Sequence, residues 1–134
     1  MEGSDSAQGG RKGKTGFAMS LVDSTQQLLE AAMRGSWLRE TALTNNIANA
    51  DTPNYERQEV DFESELQTAM NAGEPLESLE FQSVPEPTEA GPNGAGISVD
   101  EESAHLAENG LDYQALTDVV NTRNSIMRSA IGIL

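Results

Sequence analysis

The sequence predicts a mainly α fold: long N- and C-terminal helices paired as an antiparallel coiled-coil-like hairpin, with a partly disordered acidic loop region between them. Three features predict it. An apolar heptad fills the C-terminal stretch, and apolar residues recur at helical spacing from Asp23 to about Ala50. The stretch between these arms is acidic, rich in Pro and Gly, and poor in large apolar side chains.

The C-terminal helix carries the strongest periodicity. Its start is marked by Ser98 and Glu101 at capping-box spacing, with Asp100 as an alternative cap. Leu106, Tyr113, Val120, Met127 and Leu134 then fall every seven residues. Val119, Ile126 and Ile133 form a line one residue earlier, and Leu116 and Ala130 fill the three-residue offset. The stripe reaches the last residue, so this end is expected to be packed against something. A helix with such a face needs a partner to cover it. Met127, Ile131 and Leu134 are expected to complete a core between subunits.

In the N-terminal arm Asp23 can cap the first turn, with Gln26 three residues on. Leu21, Leu28, Leu29, Ala32, Met33, Trp37, Leu43 and Ile47 form its apolar face. Gly35 costs this helix up to about 1 kcal/mol and is expected to let a neighbouring helix approach closely. Leu29, Met33, Leu43 and Ile47 are expected to meet Leu106, Tyr113, Leu116, Val120 and Met127 of the other arm, or equivalent residues of neighbouring molecules.

The N-terminal arm ends in TNNIANADTPNY, Thr44 to Tyr55. Asparagine competes for backbone hydrogen bonds, so Asn45, Asn46 and Asn49 suit the end of a helix, where carbonyls go unpaired. Pro53 cannot continue the helix and holds Thr52 extended. Asn54 suits a turn with positive φ, and Tyr55 is the first large anchor after it. Nothing in the stretch pairs a nucleophile with a base. It reads as a stop, a sharp turn and an aromatic anchor.

The domain organisation follows. Residues 1–18 read as a disordered leader, with Met19 as a candidate start. Residues 19–55 are the first helix and its corner, 56–99 an acidic variable region, and 100–134 the second helix. The two helical arms form one core. Inside the acidic region, Phe62, Leu66 and Met70 predict a short amphipathic helix ended by Gly73 and Pro75. A loop follows, with a short strand at residues 79–84.

Composition excludes several functions. Of 134 residues 37% are hydrophobic, and the net charge is −14, which cannot neutralise nucleic-acid phosphates or favour an anionic membrane. From Glu56 to Ser103 there are thirteen acids and one base, so most of that charge sits in the middle. The absence of cysteine removes disulfides, thiolate metal sites and Cys nucleophiles. His105 is the only histidine, too few for a metal centre or a triad. No phosphate-cradling glycine motif occurs, and no apolar run approaches the roughly 20 residues of a membrane span. The N-terminal basic residues lack the hydrophobic segment of a secretory signal. The chain is therefore not expected to be an enzyme, and no cofactor, metal or small-molecule substrate is expected.

The segment TNNIANADTPNYERQEVDF, Thr44 to Phe62, resembles the signature of bacterial flagellar axial proteins, the rod and hook family. Asn45, Asn46, Ala48, Asn49, Thr52 and Tyr55 match its ANNxANxxTxGY-like pattern. Asp51 and Pro53, with the Asp61-Phe62 pair, are closer to a proximal-rod member. NGLDYQALTDVVNTRNSIMRSAIG, Asn109 to Gly132, is similar to the family's C-terminal helix. One departure is Asn54, where the family has glycine. The resemblance implies a structural subunit of the basal-body rod that crosses the periplasmic space, exported through the flagellar type III apparatus without a cleaved signal. It implies copies of itself, other rod subunits and the membrane-ring and export-gate junction as partners. The competing expectation is a soluble coiled-coil adaptor or export chaperone.

Overall fold

The computed structural model describes residues 12–89 and 96–132. The expected leader over residues 1–11, the side chain of Leu21, and both Ile133 and Leu134 lie outside the described residues. The fold is mainly helical. Helix α1 spans Lys12–Ala48, β1 Arg57–Glu59, α2 Phe62–Ala72, a 3-10 turn Leu76–Ser78, β2 Val84–Glu86 and α3 Val99–Ala130.

Helix α1 begins earlier than the sequence suggests. Residues 12–18, expected in the leader, are helical, and Asp23 lies inside the helix rather than at its cap. Once a helix has nucleated, each further turn costs little, so propagation overrides a local capping signal. At about 1.5 Å per residue, α1 is a rod of roughly 56 Å. Its buried face is built from small residues: Ala31, Ala32, Ser36 and Ala42 are all buried. Small side chains let neighbouring elements come close to the helix axis.

Helix α3 packs along α1, and contacts step down α1 as they step up α3. Asn46 bonds Glu102, and Ser36 bonds Asn109. Ser98 caps α3, its hydroxyl accepting from the Glu101 N–H at 3.3 Å, as the capping-box spacing predicts. The seam of α3 follows alternating spacings of four and three: Glu102, Leu106, Asn109, Tyr113, Leu116 and Val120 are buried or half-buried. The expected second line of Val119 and Ile126 is not buried. These two are 51% and 64% exposed, and Met127 and Ile131 are also exposed. Trp37, expected on the apolar face of α1, is 63% exposed. The inward line is partly polar instead, because Glu102 and Asn109 find partners on other elements. The helix also stops at Ala130, and Gly132 takes a positive φ of 73°.

Within residues 57–86 the expected short helix is present as α2, while the stretch around it packs into the core rather than remaining partly disordered. Val60, Phe62, Leu66, Ala69 and Leu76 from this stretch join Ala31, Ala32 and Ala42 in one core. Asp61 caps α2 by accepting from the Ser64 N–H, and this hydrogen bond holds its carboxyl below the usual range. Gly73, at φ 69°, closes the helix by donating to the carbonyls of Ala69 and Met70. The buried stripe of α2 is Phe62, Leu66 and Ala69, which leaves Met70 50% exposed. Phe62 lies directly on Gly35 of α1, at a position where any β-carbon would collide with its ring. The Arg39 guanidinium sits 4.4 Å above that ring, and Phe81 meets it edge-on at 6.0 Å. The strand expected at 79–84 lies at Val84–Glu86 and pairs antiparallel with β1, Gln58 opposite Pro85.

Candidate functional site

The corner after α1 is built by its own side chains. The Asn49 side-chain amide donates to the Asn45 carbonyl at 2.9 Å, which also accepts from the Asn49 backbone N–H at 3.0 Å. The Thr52 hydroxyl donates to Asn49 Oδ1 at 3.2 Å. The Tyr55 N–H donates to the Thr52 carbonyl at 3.2 Å, with Pro53 second and Asn54 third, at φ 62°, in the turn. These are the marks of a type II turn. Asparagine tolerates the left-handed region better than other non-glycine residues, so the turn survives without glycine.

Asn46 is the centre of the site and is fully buried. Its Nδ2 donates to the Gln58 carbonyl at 2.8 Å and to Glu102 Oε2 at 2.9 Å. Its Oδ1 accepts from the Gln58 N–H at 2.8 Å and, more weakly, from the Tyr55 hydroxyl at 3.4 Å. One side-chain amide therefore joins α1, β1, the corner and α3. Because Gln58 places both backbone groups on Asn46, its cross-strand partner Pro85, which has no N–H, leaves neither of them unmet.

A charge cluster surrounds this amide. Glu102 is 3% exposed, and its Oε1 accepts from Arg57 Nε at 2.5 Å. Arg57 reaches on to Glu86 of β2, so a single guanidinium ties together α3, β1 and β2. Burial alone would lower the Arg57 pKa, but the hydrogen bond and charge of Glu102, with those of Glu86, raise it overall. Burial, then the Glu102 charge, pushes the Tyr55 phenol above its ordinary value. A second polar layer lies further along the seam. There Ser36 Oγ donates to Asn109 Oδ1 at 3.1 Å, and Asn109 Nδ2 donates to the Ser36 carbonyl at 3.0 Å.

Among the residues singled out from the sequence, Asn46 and Tyr55 enter this network, while Asn49 and Thr52 brace the corner. Asn45, Ala48, Asp51, Thr52, Pro53 and Asn54 are exposed on its outside. Leu43 is buried, and Leu29, Met33, Ile47, Leu106, Tyr113, Leu116 and Val120 are half-buried along the helices. Sequence reasoning missed Ser36, Arg57, Gln58, Glu102 and Asn109. The available signal was heptad position: Glu102 and Asn109 stand seven apart, in step with Leu116.

The site is a closed polar network. Its polar groups satisfy one another, and the described residues contain no cluster of three or more His, Asp or Glu able to hold a metal. Nor is any described helix long and apolar enough to cross a membrane. The fold and site define a mainly helical protein whose first long helix ends in an asparagine corner. The chain is 30% identical over 125 residues to the flagellar basal body rod protein FlgB of Bacillus subtilis, covering 84% of this chain and 97% of that protein. It is 33% identical over 109 residues to FlgB of Cereibacter sphaeroides, covering 70% and 85% of the two chains. Against FlgB of Escherichia coli it is 28% identical over 113 residues, covering 69% and 82%. No protein-family model matches. The chain belongs to the family of flagellar basal body rod proteins FlgB.

Proposed function

We propose that this chain is a structural subunit of the flagellar basal-body rod and polymerises through its terminal helices into part of the drive shaft. The observation that carries the reading is the match to a rod protein along almost the whole of that relative's length. In this reading α1 and α3 form an antiparallel, coiled-coil-like hairpin. The polar corner sets its alignment, and neighbouring subunits cover the outward apolar residues of α3. Heterologous contacts of this kind build helical arrays when the rotation does not close. Its partners are copies of itself, other rod subunits and the membrane-ring and export-gate junction at the rod base. Its place is the rod across the periplasmic space, reached without a cleaved signal.

Quantitative mass spectrometry of purified basal bodies tests this reading. The chain should be present in a fixed ratio to the other rod components. Its absence from basal bodies that contain those components would overturn the reading and favour a soluble adaptor.

A further inference from the structure

The outer face of α3 changes character along its length. Residues 119–132 carry Arg123 and Arg128 and no acid, in a chain of net charge −14. The same stretch presents Ile126 and Ile131 at 64% and 68% exposure. Elsewhere, a groove of about 470 Å³ opens between α2 and α3, with Phe62, Leu66, Leu116 and Val119 in its walls and Met70 at its lip. Asp112 stands at its edge, with Glu63, whose carboxylate already pairs with Arg39, beside it. Residues 61–77, which include that wall of the groove, hold five acids and no base.

We infer that the basic, apolar end of α3, residues 123–131, seats in the acid-rimmed α2–α3 groove of the next copy of this chain. The inference rests on the rod-subunit reading. Charge is complementary across the contact, whereas pairing this end with itself would set arginine against arginine. The apolar side chains of the helix end match the apolar walls of the groove, in the manner of a helix laid in a groove. Within one chain Ile131 lies twelve residues beyond Val119, about 18 Å further along α3, so the end cannot reach its own groove. The two surfaces differ, so the contact is head-to-tail and propagates. A helix end this short covers less than the roughly 800 Å² per partner of a stable complex. The contact therefore belongs to the assembled array rather than to a free dimer.

The chain contains no cysteine, which makes cross-linking clean. Met70→Cys and Ile131→Cys, introduced separately and co-expressed, should give cross-linked dimers when basal bodies are oxidised. Both changes in one chain should give a ladder, and Ile131→Cys alone should give neither. Basal bodies that hold the variants in wild-type amounts but show no Met70–Ile131 cross-link would overturn this contact and leave the rod reading intact. Equal cross-linking by Ile131→Cys alone would also overturn it. Absence of the unaltered chain from basal bodies would overturn the rod reading itself. If the cysteine variants do not incorporate, charge reversal decides. Arg128→Glu should lower incorporation at least tenfold and Asp112→Lys in the same chain should restore it; no recovery overturns the contact.

Discussion

Replacing Gly35 by alanine sets two effects of opposite sign against each other. In a helix interior the change is favourable by about 0.8–1 kcal/mol, because glycine loses more backbone freedom on folding. At this position, however, the new methyl would lie 2.5 Å from Phe62 Cβ and 2.6 Å from its Cδ2, well inside van der Waals contact. Phe62 is 5% exposed and held on its other sides by Arg39 and Phe81, so the ring has nowhere to move cheaply. Overpacking of this kind costs about 1–3 kcal/mol, and expelling the ring altogether would cost about 3–5 kcal/mol. Gly35→Ala should therefore destabilise the protein by up to about 2 kcal/mol in urea denaturation followed by far-ultraviolet circular dichroism. Gly110→Ala is the control. That glycine lies in α3 with nothing within 4 Å of the added carbon, so alanine there should stabilise by about 1 kcal/mol. If the two variants gain stability alike, the close approach of α2 to α1 at Gly35 is wrong.

The asparagine corner and the caps give further expectations. Asn46→Leu strips partners from Glu102 and from both backbone groups of Gln58, and should cost about 2–4 kcal/mol; a loss under about 1 kcal/mol in the same urea assay would show that the network is not rigid. Asn54→Val forces a β-branched residue to positive φ and should cost about 1–2 kcal/mol, whereas Asn54→Gly should stay within about 0.5 kcal/mol of wild type. Asp61 has a folded-state pKa below its ordinary 3.8, so its stabilisation is complete above that value and is lost as pH falls through the lower one. The melting-temperature gap between wild type and Asp61→Asn should accordingly hold constant at neutral pH and close in acid, and a gap that widens in acid would contradict the cap. Asn49→Leu should leave the helicity of the monomer nearly unchanged but block rod assembly, an expectation that normal swimming would refute.

The helices were legible because each long element repeats its own signal. The heptad through Leu106, Tyr113 and Val120 marks one side of the seam, and Ser98 with Glu101 marks where α3 starts. The other side of the seam was not legible. Glu102 and Asn109 occupy inward positions only because Arg57, Asn46 and Ser36, distant in sequence, meet their polar groups. Periodicity weighs each residue by its own apolarity and cannot register such partners. In the middle of the chain the short helix was legible from Phe62 and Leu66, whereas its packing onto α1 was not, for a related reason. Its acids dilute the apolar signal, yet Phe62, Leu66 and Ala69 are spaced for a helix, and α1 receives them with alanines and a glycine. Strands of three residues, one containing proline, are too short to leave a pattern. The Asn-rich corner was readable as a turn, since Pro53 and Asn54 carry their conformations with them. That Asn46 turns inward while Asn45 points out required the orientation of α1.

The seam between α1 and α3 is aligned by amides, a hydroxyl and the buried Glu102 carboxylate. Such groups regain much of their interaction energy from water when the chain opens, so they add little to the free energy of unfolding. A slipped alignment, by contrast, would strand Glu102 and Asn109 in the interior without partners, at several kcal/mol. Fidelity and strength are thereby separated. The polar groups of the seam fix one alignment of the helix pair without setting its strength.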